Sequence, residues 1–380
     1  MMILKISFIS ILLIGMALLF SCGSNTVSNY PLKNIFESNT PILSFGADDE
    51  VEKPGAYESI WNYFVDNNGN VYIADDTNFK IDKFDPKGNY LFSFGGRSHQ
   101  SIRFPGWIHI FAVNSRENLI AFSHVKRKLL LFTSDSKNLR NKDLNSDLKN
   151  LRIKRLKFDR KDCLFLLTHS DASGYQLFKY DPETEKYVLI HSDNNRIRPT
   201  FKDVLPDYDF DEMGNIYITD TIEYRVFKYS NNGRLLYTFL KNHKKHKIRE
   251  QDLNFLMRRN RIRKIPNYKN ALENLKGPSG FFPAIFGINI DGKHIYVWNS
   301  HQESDKKYLL DVYDFEFKRL CTTSFYNDMG NNRVFINNKR FYIPNIGSDN
   351  SELKGSVGRF GVFNIPHNIQ VYQISMFENR

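Results

Sequence analysis

The segment from Lys241 to Asn270 concentrates the positive charge of this 380-residue chain. It carries eleven lysines and arginines against two acidic residues, a net charge of +9, while the whole chain is +11. Clustered cations attract phosphates, acidic lipids and acidic protein surfaces. We call this segment the basic flap and predict that it contacts an anionic surface; the alternative is a solvated lysine-rich loop. Its candidate contact residues are Lys241, Lys244, Lys245, Lys247, Arg249, Arg258, Arg259, Arg261, Arg263 and Lys264.

A second set of polar residues ends β-rich runs at regular intervals along the chain. Side chains of this kind can line a binding site when the strands that carry them share one axis. The alternative is that each aspartate or asparagine caps its own turn. Ser123 and Thr168 are alternatives at two of the positions. The predicted binding ring is Asp75, His124, His169, Asp220, Asn299 and Asn345.

Catalytic signatures are absent from the sequence. It contains no P-loop, no nucleophile elbow and no glycine-rich dinucleotide turn. Only His243 and His246 form a spaced histidine pair, and a metal needs three or four convergent ligands. The sequence therefore predicts no catalytic residue, no metal site and no cofactor.

The elements that position these residues come from an internal repeat. The stretch from Val65 to Gly95 returns 145 residues later, without a gap, from Phe210 to Leu240, with ten identical positions. Repetition at a fixed spacing is typical of repeat architectures, whose units bury their faces against one another.

One repeat predicts four short antiparallel strands. Asn68-Gly69 is a hairpin dipeptide, and Asp85-Pro86-Lys87-Gly88 is a turn signal. The flanking β-rich runs are Trp61 to Val65, Val71 to Ala74, Phe79 to Phe84 and Tyr90 to Phe94. Weaker copies begin at residues matching Asp66, namely Asn114, Asp159, Asp211, Asp291 and Asn337.

Both strong copies resemble the NHL repeat, a family whose repeats build six-bladed β-propellers. Lys80 stands where that repeat usually has arginine, and Glu223 stands where the second copy would have asparagine. The resemblance implies an all-β, six-bladed propeller over 41–380, with a basic, partly helical insertion at 241–279. The resemblance also implies a comparison with metal-dependent propeller lyases, which bind metal through histidines in the central channel. In this sequence, His124 and His169 are the only histidines expected near the channel face. The matching residues are Asp66, Gly69, Asn70, Tyr72, Asp75, Asn78, Lys80, Ile81, Lys83, Phe84, Asp85 and Gly88.

The closure of the ring is left open by the sequence. Five segments compete for the four strands of the last blade, four of them C-terminal and one the N-terminal Pro41 to Gly46, so one must lie elsewhere.

The two cysteines of the propeller are expected to be free thiols. Cys163 and Cys321 belong to blades three and five, which are not neighbours, and a disulfide needs its Cα atoms within about 7 Å.

The N-terminus predicts export. Lys5 precedes the apolar run Ile6 to Phe20, and residues 1–21 read as a signal peptide. Leu19-Phe20-Ser21-Cys22 resembles a bacterial lipobox, which implies a lipid anchor on Cys22 followed by a polar tether over 22–40. The outer membrane or the cell surface is the favoured location.

These features together predict a non-catalytic binding or scaffold propeller at the bacterial envelope. Its expected partner is an envelope protein or an anionic surface, which it contacts through one face of the disc. Nucleic acid is not an expected partner. The first alternative is a metal-dependent lyase or lactonase with its site in the central channel. The second is a structural surface lipoprotein whose outer face carries its role.

Overall fold

The computed structural model describes residues 43–45, 60–75, 78–96, 104, 108, 110–135, 139–144, 146–149, 151–170, 172–193, 205–220, 222–245, 247, 281–299, 307–326, 334–337, 339–345, 357–358, 361–362 and 368–374. The signal peptide, Cys22, the tether and the helix predicted in the insertion lie outside these residues. Among the described residues, no helix is both long and apolar enough to cross a membrane.

The sequence predicted six blades, and five four-stranded antiparallel sheets are each built from one continuous run of the chain. Their strands are short and run between tight turns, as in blade-like sheets. Sheet 1 holds β2 Ile60–Val65, β3 Val71–Asp75, β4 Lys80–Phe84 and β5 Tyr90–Gly95; sheet 2 holds β6 Phe111–Val113, β7 Leu119–Ser123, β8 Lys128–Phe132 and β9 Leu139–Asp143; sheet 3 holds β10 Arg152–Phe158, β11 Leu164–Ser170, β12 Gly174–Tyr180 and β13 Tyr187–Asp193; sheet 4 holds β14 Tyr208–Phe210, β15 Ile216–Thr219, β16 Arg225–Tyr229 and β17 Leu235–Leu240; sheet 5 holds β18 Ile285–Asp291, β19 His294–Asn299, β20 Lys307–Tyr313 and β21 Arg319–Tyr326. Second strands such as β3, β7 and β15 are buried along their whole length. A one-turn helix, α1 Ser146–Lys149, precedes sheet 3.

A sixth four-stranded sheet joins the two ends of the chain. It contains β22 Phe335–Asn337, β23 Arg340–Asn345, β26 Asn368–Gln373 and the N-terminal β1 Leu43–Phe45, in the order β1-β26-β23-β22. The fifth candidate segment contributes β25 Gly361–Val362, which pairs with β24 Val357–Gly358 in a separate two-stranded ribbon. The N-terminal strand therefore completes the sheet from the outside, pairing with β26.

The first strand of each sheet lies innermost. β2 contacts β6 and β22, β6 contacts β10, β14 contacts β18, and β18 contacts β22. A side-chain ion pair, Lys157 to Asp209, joins β10 to β14. The described sheets therefore surround a common axis as an all-β propeller with four-stranded antiparallel blades.

The apolar core lies between neighbouring sheets. One cluster joins sheets 1, 2 and 6 through residues such as Phe94, Phe132 and Phe335, and further clusters join sheets 2 and 3, 3 and 4, and 4 and 5. Each sheet thus buries its faces only because a copy stands on either side. Cys163 and Cys321 are free, as the sequence predicted.

The repeated residues build the turn between the first and second strands. Asp66 Oδ1 accepts the N–H groups of Asn68 and Asn70, both at 2.9 Å, and its Oδ2 accepts the amide of Asn70 at 2.8 Å and the hydroxyl of Tyr72 at 3.1 Å. The hairpin was predicted correctly, but its turn type was not. Asn67 and Asn68 are the two central residues of the turn, because the N–H of Gly69 donates to the Asp66 carbonyl at 3.0 Å. Gly69 follows them and is the residue of this turn with a positive φ, +81°.

Candidate functional site

The up-and-down strand order gives the disc two distinct faces. The connections from second to third strand, and from fourth strand to the next sheet, lie on one face, which we call the link face. The turns from first to second and from third to fourth strand lie on the other, which we call the turn face. Both the predicted ring and the basic flap belong to the link face.

Asp75 and Asp220 end their second strands on the link face and bond to their own turns. Asp75 accepts the backbone N–H of Asn78 at 3.1 Å and its side-chain amide at 2.8 Å. Asp220 Oδ1 accepts the N–H of Ile222 at 2.7 Å. Burial is the main reason that the pKa of each carboxyl is raised. These two ring residues therefore behave as turn caps.

The other ring positions differ in exposure. His124 is exposed and packs edge-on against Phe122, with ring centroids 4.9 Å apart, and half-buried His169 packs against Tyr175 at 4.7 Å. The alternatives Ser123 and Thr168 are buried. Asn299 is buried too, while Asn345 ends β23 and its side chain lies outside the described set. Among the ring positions whose side chains are described, His124 is exposed and His169 half-buried, while Asp75, Asp220 and Asn299 are buried.

Lys241 is anchored at the root of the basic flap rather than free for a partner. Its Nζ lies 2.7 Å from Oδ2 of Asp311 and 4.6 Å from the centre of the Tyr224 ring. Asp311 is 1% exposed and also accepts hydrogen bonds from Tyr224, Thr322 and Asn299, at 2.6, 2.6 and 3.1 Å. Burial pushes the pKa of Asp311 upward, but Lys241 and these donors outweigh it, and the pKa is lowered.

Sequence reasoning missed Asp311, although one signal was present. An aspartate stands in the apolar run of β20, where a lone charge is costly to bury without a partner. The partner, Lys241, lies 70 residues away in sequence on the preceding connection. No local pattern links the two residues.

The next cations of the basic flap are exposed. Lys244, Lys245 and Lys247 all present their side chains to solvent. Lys247 also pairs with Phe281 in an isolated antiparallel bridge, so the described ends of the insertion meet. The remaining predicted contact residues, Arg249, Arg258, Arg259, Arg261, Arg263 and Lys264, lie outside the described residues.

A cavity of about 70 Å³ opens at the centre of the turn face. This is the face opposite to the one on which the binding ring was predicted. The ends of the first strands of all six four-stranded sheets line it, and each contributes an apolar residue at or next to its last position. These residues are Val65, Val113, Phe158, Phe210, Ile290 and Ile336.

Two ion pairs extend from the cavity along the axis. Arg155 and Lys157 of β10 bond to Asp207, which precedes β14, and to Asp209, which lies within it. The same two carboxylates accept backbone N–H groups of β18, Ile288 at 3.2 Å and Ile290 at 2.8 Å. Each aspartate of sheet 4 therefore connects sheets 3 and 5 across the channel.

Asn289 adds a further buried polar group to the cavity wall. It is 2% exposed, and its Oδ1 has no hydrogen-bond partner within the described structure. Within that same part of the chain, no three His, Cys, Asp or Glu side chains are arranged to hold a metal ion.

Comparison with known proteins supports the fold. No protein-family model and no curated protein matches the chain. Solved structures do: a member of the DUF4221 family from Bacteroides vulgatus is 12% identical, with a TM-score of 0.53 over 88% of this chain and 96% of that one. A Bacteroides fragilis protein whose name describes it as exported is 12% identical, with a TM-score of 0.50 over 89% and 98% of the two chains. Virginiamycin B lyase from Staphylococcus aureus is 12% identical, with a TM-score of 0.44 over 88% and 87%.

Proposed function

We propose that the protein is a non-catalytic binding propeller of six blades, anchored at the bacterial envelope through Cys22. Its link face contacts an envelope protein or an anionic surface through the basic flap. Six blades are supported by the sixth four-stranded sheet and by the six first strands around the cavity. Export is supported by the signal sequence and by the name of the Bacteroides fragilis structure.

The observation that carries this proposal is the anchored root of the basic flap. Lys241 is held by Asp311, and Lys244, Lys245 and Lys247 beyond it are exposed. These lysines follow a fixed root on the link face, whereas Asp75 and Asp220 on the same face bond to their own turns. Positive charge is thus the property that this face offers to a partner.

A charge-reversal variant with a matched control tests the proposal. The test variant carries Lys244→Glu, Lys245→Glu and Lys247→Glu. The control carries Lys87→Glu, Lys161→Glu and Lys318→Glu, which make the same change in net charge at exposed turn-face positions. Both are expressed as intact lipoproteins, checked for an unchanged thermal transition, and cross-linked in native membranes.

We expect the test variant to lose its cross-links to partner or lipid by at least about tenfold, because each basic residue near an anionic surface contributes about 1 kcal/mol. The control variant should keep them. Equal cross-linking in both variants would reduce the basic flap to a solvated loop. Stoichiometric zinc or calcium in the purified protein would instead support the metal-dependent enzyme.

A further inference from the structure

The cavity on the turn face offers a second site, independent of the basic flap. It lies on the opposite side of the disc, where the first strands of all the four-stranded sheets end. Its volume of about 70 Å³ holds several water molecules or the end of a small ligand. The chemistry of its wall limits what that ligand can be.

The buried charges of the cavity wall are compensated within the protein, whereas Arg160 is an exposed cation of the lining. Lys157 is paired with Asp209, whose second oxygen accepts the Ile290 N–H. Asp66, at the rim, gives both of its oxygens to the first turn of sheet 1. An ionic ligand would have to displace one of these partners, so the wall favours a neutral ligand.

The unmet group of the wall is a hydrogen-bond acceptor. Oδ1 of Asn289 is buried and has no partner among the described atoms. Buried polar atoms without a partner are rare in native proteins, and each one indicates a missing water, ion or ligand. A hydroxyl group can donate to this oxygen without bringing a charge into the cavity.

The rest of the wall combines aromatic and aliphatic side chains with polar turn residues. Phe64, Phe158, Phe210 and Phe335 line the cavity, and so do Asn67, Asn114 and Ser115. Such a wall favours a ligand that also presents C–H surface, as ligand pockets combine apolar walls with a few placed polar groups. We propose that the cavity binds a small neutral polyhydroxylated ligand, such as a monosaccharide unit, through a hydroxyl donated to Asn289.

The test is a titration of the purified full-length lipoprotein in detergent. D-Glucose, N-acetyl-D-glucosamine and myo-inositol are the neutral probes, and glucose 6-phosphate and glucosamine are their charged counterparts. Saturation-transfer NMR and calorimetry report binding to wild type, to Asn289→Leu and to the control Lys318→Ala on the same face. We expect one neutral probe to bind, at least about tenfold more tightly than the charged ones and than it binds Asn289→Leu. Lys318→Ala should match wild type.

Three results would overturn this proposal. The first is no saturable binding of any neutral probe to wild type up to about 50 mM, well above the range of weak specific affinities. The second is equal binding to Asn289→Leu and wild type. The third is a crystal structure, soaked with the probe, in which only water bonds to Asn289. If Asn289→Leu fails to fold, the wild-type titration and this structure still decide the question, and the basic-flap experiment is unaffected by either outcome.

Discussion

The two faces of the propeller use the same polar residue types in different ways. On the link face, Asp75 and Asp220 bond to groups two to three residues further along the chain. Inside the channel toward the turn face, Asp207 and Asp209 bond to groups 52 and 81 residues away. The first arrangement closes each turn on itself. The second ties three sheets together beside the cavity, where Oδ1 of Asn289 has no hydrogen-bond partner among the described atoms.

This contrast shows why a polar residue at a strand end does not by itself indicate a binding site. Aspartate and asparagine accept hydrogen bonds from nearby N–H groups whenever the turn allows it. Oxygens bonded in this way are no longer available to bind a ligand or partner. A binding surface remains where local partners run out. On the link face the surface that we propose is the exposed lysines of the basic flap, and on the turn face it is the cavity.

The largest effect should come from breaking the channel pair. Lys157→Met leaves the carboxylate of Asp209 buried without its cation, and we expect the free energy of unfolding to fall by about 4 kcal/mol. Urea denaturation measures it. Lys157→Met combined with Asp209→Leu removes both charges and should recover more than half of the lost free energy of unfolding. A double variant that is no more stable than Lys157→Met would show that the pair does not act as a unit.

On the link face, Lys241→Met should lower the free energy of unfolding by about 3 kcal/mol at neutral pH, because Asp311 stays buried without its cation. The exposed neighbour substitution Lys244→Met should change it by less than about 0.5 kcal/mol. Urea titrations of the three proteins make the comparison.

The same variant has a defined pH dependence. The folded pKa of Asp311 is lowered, so its contribution is present above the ordinary aspartate pKa and is lost as pH falls through the folded pKa. The penalty of Lys241→Met should therefore shrink in acid, where Asp311 is protonated with or without lysine. A penalty that does not change as pH falls through the folded pKa of Asp311 would contradict the ion-pair explanation.

A smaller effect is expected in the repeated turn. Asp211→Ala removes bonds to the N–H groups of Met213 and Asn215 and leaves the buried hydroxyl of Tyr217 without its acceptor. We expect a loss of about 2 kcal/mol in chemical denaturation. Asp211→Asn should cost less than half of this, since asparagine already fills the equivalent place in sheet 2, where Asn114 accepts the same pair of backbone bonds.

The smallest effect, of opposite sign, is expected at Asp220. Burial raises its folded pKa, so the ionised carboxylate opposes folding at neutral pH, and stability rises as pH falls through that folded pKa. Asp220→Asn keeps an acceptor for Ile222 and should stabilise the protein by less than about 1 kcal/mol at pH 7, with no gain in acid. Thermal unfolding at several pH values measures this. A variant less stable than wild type at pH 7 would contradict the explanation.

Much of the fold could be predicted from the sequence because its information is local. The two strong copies placed all four strands of sheet 1 to within one residue at each end. The residues matching Asp66 fall at the ends of first strands in all six four-stranded sheets. Strand alternation and turn residues act over two to five positions, so they can be read along the chain.

The candidate site was predicted less well because it depends on contacts between sheets. The residues of the predicted ring lie on the link face, but the cavity lies on the turn face, and the bonds of Asp75 and Asp220 make these two residues turn caps. Lys241 was grouped with the solvent-facing cations, although it neutralises Asp311. The cavity with Asn289 carries no sequence signal, since asparagine between two isoleucines reads as an ordinary strand position.

The sequence by itself determined the repeat, the strand boundaries and the charge of the basic flap, because these follow from residue types over short spans. Only the tertiary structure decided which polar side chains are consumed, which terminal strand completes the sixth sheet and where the channel opens. These outcomes depend on groups brought together from sheets 50 or more residues apart. The closure of the ring brings these bonding partners together, and no local sequence pattern predicts which groups will meet.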